Sequence, residues 1–206
     1  MERYFAELAT AFVRGRLDNP TASIDDGLAA GLRLHKFKQG TELPRVQRAL
    51  SILRGLAPES LLDVGSGRGT FLWPLMASFP ELRVTAIDVS EQRALDIDAV
   101  HRGGIERLRA IQTGICEIVF PDASFDGVTI LEVLEHLHNP EAALRQALRV
   151  ARRFVIASVP STPDDNPEHR QLFTVDRLRE MAVAGGCAQP KIEHVLNHRI
   201  LICIKP

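Results

Sequence analysis

The chain has 206 residues and a mass of 22.8 kDa, enough for one well-buried domain with a short extension and too little for two full domains. Its 25 basic and 26 acidic residues leave a formal charge of −1, which excludes a global electrostatic footprint for nucleic acid but not a local patch. Cys116, Cys187 and Cys203 form no close-spaced pair, no apolar run approaches membrane-spanning length, and acids interrupt the apolar N-terminus. Together these predict reduced thiols in a soluble, cytoplasmic protein.

Tyr4, Phe5, Leu8, Phe12 and Val13 recur at helical spacing within residues 1–16, and the Asn19-Pro20 step ends that helix. A second short helix over 24–34 leads into the basic loop His35-Lys36-Phe37-Lys38-Gln39-Gly40. Pro44 then opens a helix that carries Val46, Leu50 and Leu53. Strands are expected at 60–64, 83–88, 109–113, 125–131, 153–159, 190–196 and 199–205, with helices near 69–79, 90–102, 139–150 and 174–185. Strands separated by helices imply an α/β fold: a Rossmann-like, mostly parallel seven-stranded sheet with helices on both faces. The last two apolar runs are joined only by Asn197-His198-Arg199, which demands an antiparallel C-terminal hairpin. Residues 1–50 are assigned to a helical N-terminal extension or cap and residues 51–206 to the main domain.

The segment Leu61-Leu62-Asp63-Val64-Gly65-Ser66-Gly67-Arg68-Gly69 reads as a buried strand entering a glycine-rich turn that opens a helix. Glycines there let the backbone turn sharply and approach a ligand closely. A dinucleotide fingerprint would read G-x-G-x-x-G, whereas this pattern is Asp63-x-Gly65-x-Gly67-x-Gly69. An acid two positions before the first glycine repels a pyrophosphate but suits a cation such as the amino group of a methionine moiety. Val84-Thr85-Ala86-Ile87-Asp88 is a second apolar strand ending in a carboxylate, placed where α/β nucleotide sites bind ribose hydroxyls.

These two segments resemble the first and second motifs of the class I S-adenosylmethionine-dependent methyltransferases, over roughly residue 50 to the C-terminus. The resemblance implies S-adenosylmethionine as cofactor, bound by Asp63, Gly65, Ser66, Gly67, Gly69, Asp88, Val89, Gly114, Ile115 and Leu131. Many members carry an acid after the third strand that meets the adenine amino group. Here Ala110-Ile111-Gln112-Thr113-Gly114-Ile115-Cys116 has none before Glu117, so adenine contact is assigned to backbone around Gly114 and Ile115. Phe125-Asp126 resembles the family's lead into the fourth strand, and Asp126 is read as structural.

Glu132-Val133-Leu134-Glu135-His136 follows the fourth strand at the carboxyl edge, where ligands sit in open α/β sheets. In a helical turn Glu132, Glu135 and His136 would lie at i, i+3 and i+4 and point the same way. With His169 from the loop after strand five they form a candidate set for a divalent metal, Mg, Mn, Co, Fe or Zn. The pattern resembles the E-x-x-E-H motif and later histidine of RNA 3′-terminal 2′-O-methyltransferases, and E-x-x-E-H-like segments of ubiquinone-pathway O-methyltransferases. On this reading Glu132, His136 and His169 are catalytic. The competing reading keeps the same residues without metal, with Glu132 lining the pocket and His136 a base or a local hydrogen-bonding group.

The remaining candidates have plain roles. Trp73 and Cys203 are assigned to the core, His138 to an exposed and idle position, and His194 and His198 to polar positions at the final turn. Arg33, His35, Lys36, Lys38, Arg45 and Arg48 form either a solvated face or a phosphate-binding patch, and Asp164-Asp165-Asn166 either line the substrate mouth or solvate a loop. The reaction expected is methyl transfer from S-adenosylmethionine to a hydroxyl, on a small molecule or at the ribose diol of an RNA 3′ end, with no membrane partner. The alternatives are a metal-independent small-molecule methyltransferase acting on O, N or C, and a non-catalytic S-adenosylmethionine-binding protein. Oligomeric state is left open.

Overall fold

Apolar strands flanked by amphipathic helices build a seven-stranded sheet of order β3-β2-β1-β4-β5-β7-β6, in a computed structural model that describes residues 5–40, 42–163 and 166–205. Strands β1 (Ser60–Val64), β2 (Arg83–Asp88), β3 (Leu108–Gln112), β4 (Phe125–Leu131) and β5 (Ala151–Pro160) are parallel, while β6 (Lys191–Val195) and β7 (His198–Ile204) form the antiparallel hairpin. The expected fold class is correct. Alternate residues of one strand feed opposite faces: Phe154 and Ile156 of β5 join one apolar cluster, Val155, Ala157 and Val159 the other.

The first cluster packs the sheet against α1 (Ala6–Leu17), α3 (Pro44–Leu56), α4 (Leu72–Ser78) and α5 (Glu91–Arg102). The second packs it against α6 (Pro140–Val150) and α7 (Val175–Ala184). Local capping sets several helix starts. Ser23 and Asp26 form a reciprocal capping box on α2 (Ile24–Ala29), and the Asn139 and Thr174 side chains accept from the third-position amides of α6 and α7. The second helix therefore stops at Ala29, short of the expected 34, because Ala30 and Gly31 close it with turn hydrogen bonds and Gly31 has φ +76°.

Residue 50, the boundary drawn between extension and main domain, falls inside α3. The first helix lies on α5 at very short range, and glycine at two reciprocal positions permits it. A Cβ on Gly15 would sit 1.9 Å from the carbonyl oxygen of Ala99, and one on Gly103 1.7 Å from that of Ala11. Tyr4, Asp164 and Asp165 lie outside the described residues.

Candidate active site

The glycine turn follows β1 directly. Gly65, Gly67 and Gly69 have φ of +68°, +57° and +86°, a region that L side chains rarely adopt. Two of them are also packed too closely for a side chain: a Cβ on Gly65 would lie 2.4 Å from a Val133 methyl, and one on Gly69 2.0 Å from the Trp73 indole nitrogen. Trp73 is buried as expected and donates its indole N–H to the Arg68 carbonyl at 2.9 Å, so the core itself braces the turn.

Asp88 ends β2, 3% exposed. Its Oδ2 accepts from the Gly67 amide at 2.8 Å and its Oδ1 from the Ser90 amide at 2.9 Å. A carboxylate has about four acceptor positions, so capacity remains for ribose hydroxyls. Asp63 is buried one residue before the end of β1, accepting from Ser66 Oγ at 2.7 Å and Thr129 Oγ1 at 2.8 Å. Burial pushes its carboxyl up to about 6, against the lowering effect of both hydroxyls, and the nearby Asp88 charge adds to the rise.

These groups open into a cavity of about 690 Å³ at the carboxyl ends of β1, β2 and β4, within the range of small-molecule sites, about 300–1,000 Å³. Every expected cofactor residue except Gly69 lines it, Gly114 and Ile115 at one side and Leu131 at the other. Beyond Leu131 the wall continues through Glu132, Val133 and His136 to Asn166, Pro167, Glu168 and Arg170, with Arg45 and Val46 of α3 facing them.

The E-x-x-E-H segment is not one helical turn. Glu132 takes φ +58°, and only Leu134–His136 form a short 3₁₀ turn. The three expected ligands on one helical face are therefore split. Glu135 (fully buried), His136 and His169 each offer a ligand atom within 4.8 Å of the others; their histidine ring centroids are 4.8 Å apart, and His169 Nε2 is 3.9 Å from Glu135 Oε1. The fold of the later loop creates this cluster. Arg170 donates its amide to the Glu135 carbonyl at 2.9 Å, and the Glu168 carbonyl lies 3.0 Å from His136 Nδ1. Glu132 points elsewhere: Oε1 accepts from Ser158 Oγ at 2.7 Å and Oε2 lies 3.0 Å from His198 Nε2, with Arg45 Nε 3.8 Å from Oε1.

His198, expected as a polar turn position, instead opens β7 with its Nε2 against Glu132, while His138 and His194 are exposed. Asp126 is structural, as read. Burial would raise its carboxyl, but the Glu59 and Ser60 amides and Arg152 outweigh it and hold it below the usual range. Cys203 lies in the core beside Cys187, and burial pushes its thiol up. Within the basic stretch, Lys36 pairs with Asp96 and Arg48 with Glu193, while Arg45 faces the cavity.

Residues 62–155 match the family model described as a methyltransferase domain. That match, with the methyltransferase relatives below, supports an S-adenosylmethionine-dependent methyltransferase domain of class I over these residues. It is 28% identical over 119 residues to a demethylmenaquinone methyltransferase of Porphyromonas gingivalis (56% of this chain, 49% of that one). It is 32% identical over 100 residues to a ubiquinone biosynthesis O-methyltransferase of Azoarcus (48% and 42%). The chain thus spans about half the length of these curated relatives. Among solved structures, an S-adenosylmethionine-dependent methyltransferase from Aquifex aeolicus shares the fold at TM-score 0.63, with 20% identity, covering 79% of this chain and 90% of that one. No described helix is long and apolar enough to cross a membrane.

Proposed function

We propose that the protein methylates a hydroxyl of a small molecule, with S-adenosylmethionine as donor. The observation that carries this reading is one continuous cavity with the glycine turn, Asp63 and Asp88 at one end and the polar wall of Glu132, His136 and Glu168 at the other. The first end suits an ammonium and a ribose. The second suits an acceptor that must be oriented and lose a proton. The names of the Azoarcus relative and its quinone-pathway counterpart support a small acceptor, and oxygen as the methylated atom accords with the former. An RNA 3′ end is disfavoured, because Lys36 and Arg48 of the basic stretch are already paired with Asp96 and Glu193, which reduces the positive charge that stretch offers to phosphates.

Divalent-metal assistance belongs to this proposal in reduced form. Glu135, His136 and His169 fit a cation, since a carboxylate and two imidazoles converge within 4.8 Å; Glu132 stands outside that set. A cation bound there would lower the pKa of an acceptor hydroxyl. The protein's own groups orient the acceptor, with Arg45 and Val46 closing over it and His136 fixed by the Glu168 carbonyl. The separate placement of Glu132 favours a second reading, in which the triad is structural and transfer is metal-independent.

Calorimetry with S-adenosylmethionine, S-adenosylhomocysteine and NAD tests the donor; the first two should bind and NAD should not. Radiolabelled methyl transfer to catechol, simple phenols and an oligoribonucleotide with a free 3′ ribose tests the acceptor, with label expected on a phenolic oxygen. NAD binding in place of S-adenosylmethionine would overturn the reading. Metal analysis of the wild type against Glu135→Gln and His169→Ala decides between the two forms.

A further inference from the structure

We propose that Glu132 accepts the proton released by the methyl acceptor and that His198, held against it, carries that proton out of the cavity. This rests on the methyl-transfer reading above. Glu132 is the carboxylate that follows Leu131 on the cavity wall, and its backbone is held in the left-handed region at φ +58°. For a residue with a Cβ that conformation is strained and persists only where the surroundings enforce it. Here Ser158 enforces it twice: its carbonyl accepts the Glu132 amide at 3.0 Å, and its hydroxyl donates to Glu132 Oε1 at 2.7 Å. With a helical φ, the carboxylate would have joined Glu135 and His136 instead.

The groups that face Glu132 come from three elements: Arg45 on α3, Ser158 on β5 and His198 on β7. Antiparallel pairing of β5 with β7 sets Pro160 opposite His198 and brings the imidazole to the carboxylate. His198 is absent from the cavity lining and its side chain is 22% exposed, against 21% for the cavity-lining Glu132, so it offers the carboxylate a way to solvent that an acceptor filling the cavity does not block. In the reaction the acceptor oxygen forms a bond to the methyl carbon, and the sulfur–methyl bond breaks with its electron pair left on sulfur as a neutral thioether. The acceptor proton passes to the Glu132 carboxylate. It then crosses the 3.0 Å gap to His198 Nε2 and is released to water from the imidazole. Glu132 is the catalytic residue of this step; His198 and Ser158 are positioning residues.

The test needs no knowledge of the acceptor. Sinefungin replaces the methyl-bearing sulfonium by a carbon carrying an amine, which sets a cation where the transferred methyl would sit, facing the acceptor end of the cavity, whereas S-adenosylhomocysteine has nothing there. Calorimetry on the full chain should show that Glu132→Gln weakens sinefungin at least tenfold and leaves S-adenosylhomocysteine within about twofold. His198→Ala should weaken sinefungin selectively by a smaller factor, partly restored in His198→Gln. Glu141→Gln, a carboxylate on α6 outside the cavity and paired with Arg177, should leave the ratio unchanged. Equal weakening of both ligands by Glu132→Gln, or an equal selective loss in Glu141→Gln, overturns the proposal. Should Glu132→Gln fail to fold, the His198 pair decides it by the same ratio. If wild-type protein binds neither ligand, the methyl-transfer reading itself fails.

Discussion

Burial makes Asp63 a pH-sensitive part of the cofactor site. Its carboxyl is pushed up to about 6, the reverse of a salt-bridged acid. Ionisation therefore costs stability, and the cost appears as pH rises from the ordinary carboxylate range through 6. A ligand ammonium favours the ionised form, so a cofactor whose amino group meets Asp63 must remove its proton on binding. S-adenosylhomocysteine affinity should accordingly be level near pH 7 and fall toward one decade per pH unit below 6. About three-quarters of a proton should be released per site near pH 5.5, rising toward one at lower pH, measured by calorimetry in buffers of different ionisation enthalpy. Asp63→Asn should abolish the slope and weaken binding at pH 7 by about 10- to 100-fold, the worth of a charge-assisted hydrogen bond. An unchanged slope in Asp63→Asn would place the amino group elsewhere. The glycine motif, Asp63 and Asp88 were legible in sequence because a strand, a turn and a helix start confine them to a few residues. The partners of Glu132 were not. The i, i+3, i+4 argument assumes helical φ at its first residue, and nothing in Leu131-Glu132-Val133 marks a left-handed backbone. The contact with His198 spans 66 residues and depends on the register of β7 against β5.

Elements pack here by backbone contact as well as by side-chain interdigitation, and α1 on α5 is the case with an unambiguous sign. Alanine at Gly15 would gain about 1 kcal/mol of helix propensity, yet its Cβ would meet the Ala99 carbonyl at 1.9 Å. The helices must separate, which costs roughly 1–3 kcal/mol or more. Gly55 on α3 has nothing within 4 Å of its Cβ position and is exposed, so alanine there gains propensity without a clash. Gly15→Ala should lower Tm by several degrees and Gly55→Ala should raise it slightly, at about 2–4 °C per kcal/mol for a chain of this size. Two shifts of the same sign would refute the packing account. The close approach of α1 to α5 was hidden in sequence, because nothing around Gly15 or Gly103 marks the carbonyl that each one faces. The strand and helix sequence was readable, since the two periods alternate cleanly from residue 60 onward.

At the scale of the molecule, α3 links the cavity to the far edge of the sheet. Arg45 and Val46 face the acceptor end, and one turn later Arg48 grips Glu193 of β6 with two hydrogen bonds, of 2.7 and 3.0 Å, across 145 residues of chain. The Arg48 guanidinium and then Lys191 hold the Glu193 carboxyl down at about 2. A carboxyl depressed in the folded state stabilises the protein above its unfolded value, ordinarily about 4.3, and that stabilisation is lost as pH falls through 2. Because Arg48 is more than a third exposed, solvent screening limits the pair to about 1 kcal/mol or less. Glu193→Gln should therefore cost up to about 1 kcal/mol in urea unfolding at pH 7 and 5 and progressively less at pH 4 and 3. The loss should shrink in 1 M salt, where the screening length falls to about 3 Å. In the same variant S-adenosylhomocysteine should bind unchanged, because the bridge acts on the acceptor side of α3 and not on the glycine turn. A loss of cofactor affinity equal to the loss of stability would instead mean that α3 supports both ends of the cavity as one rigid unit.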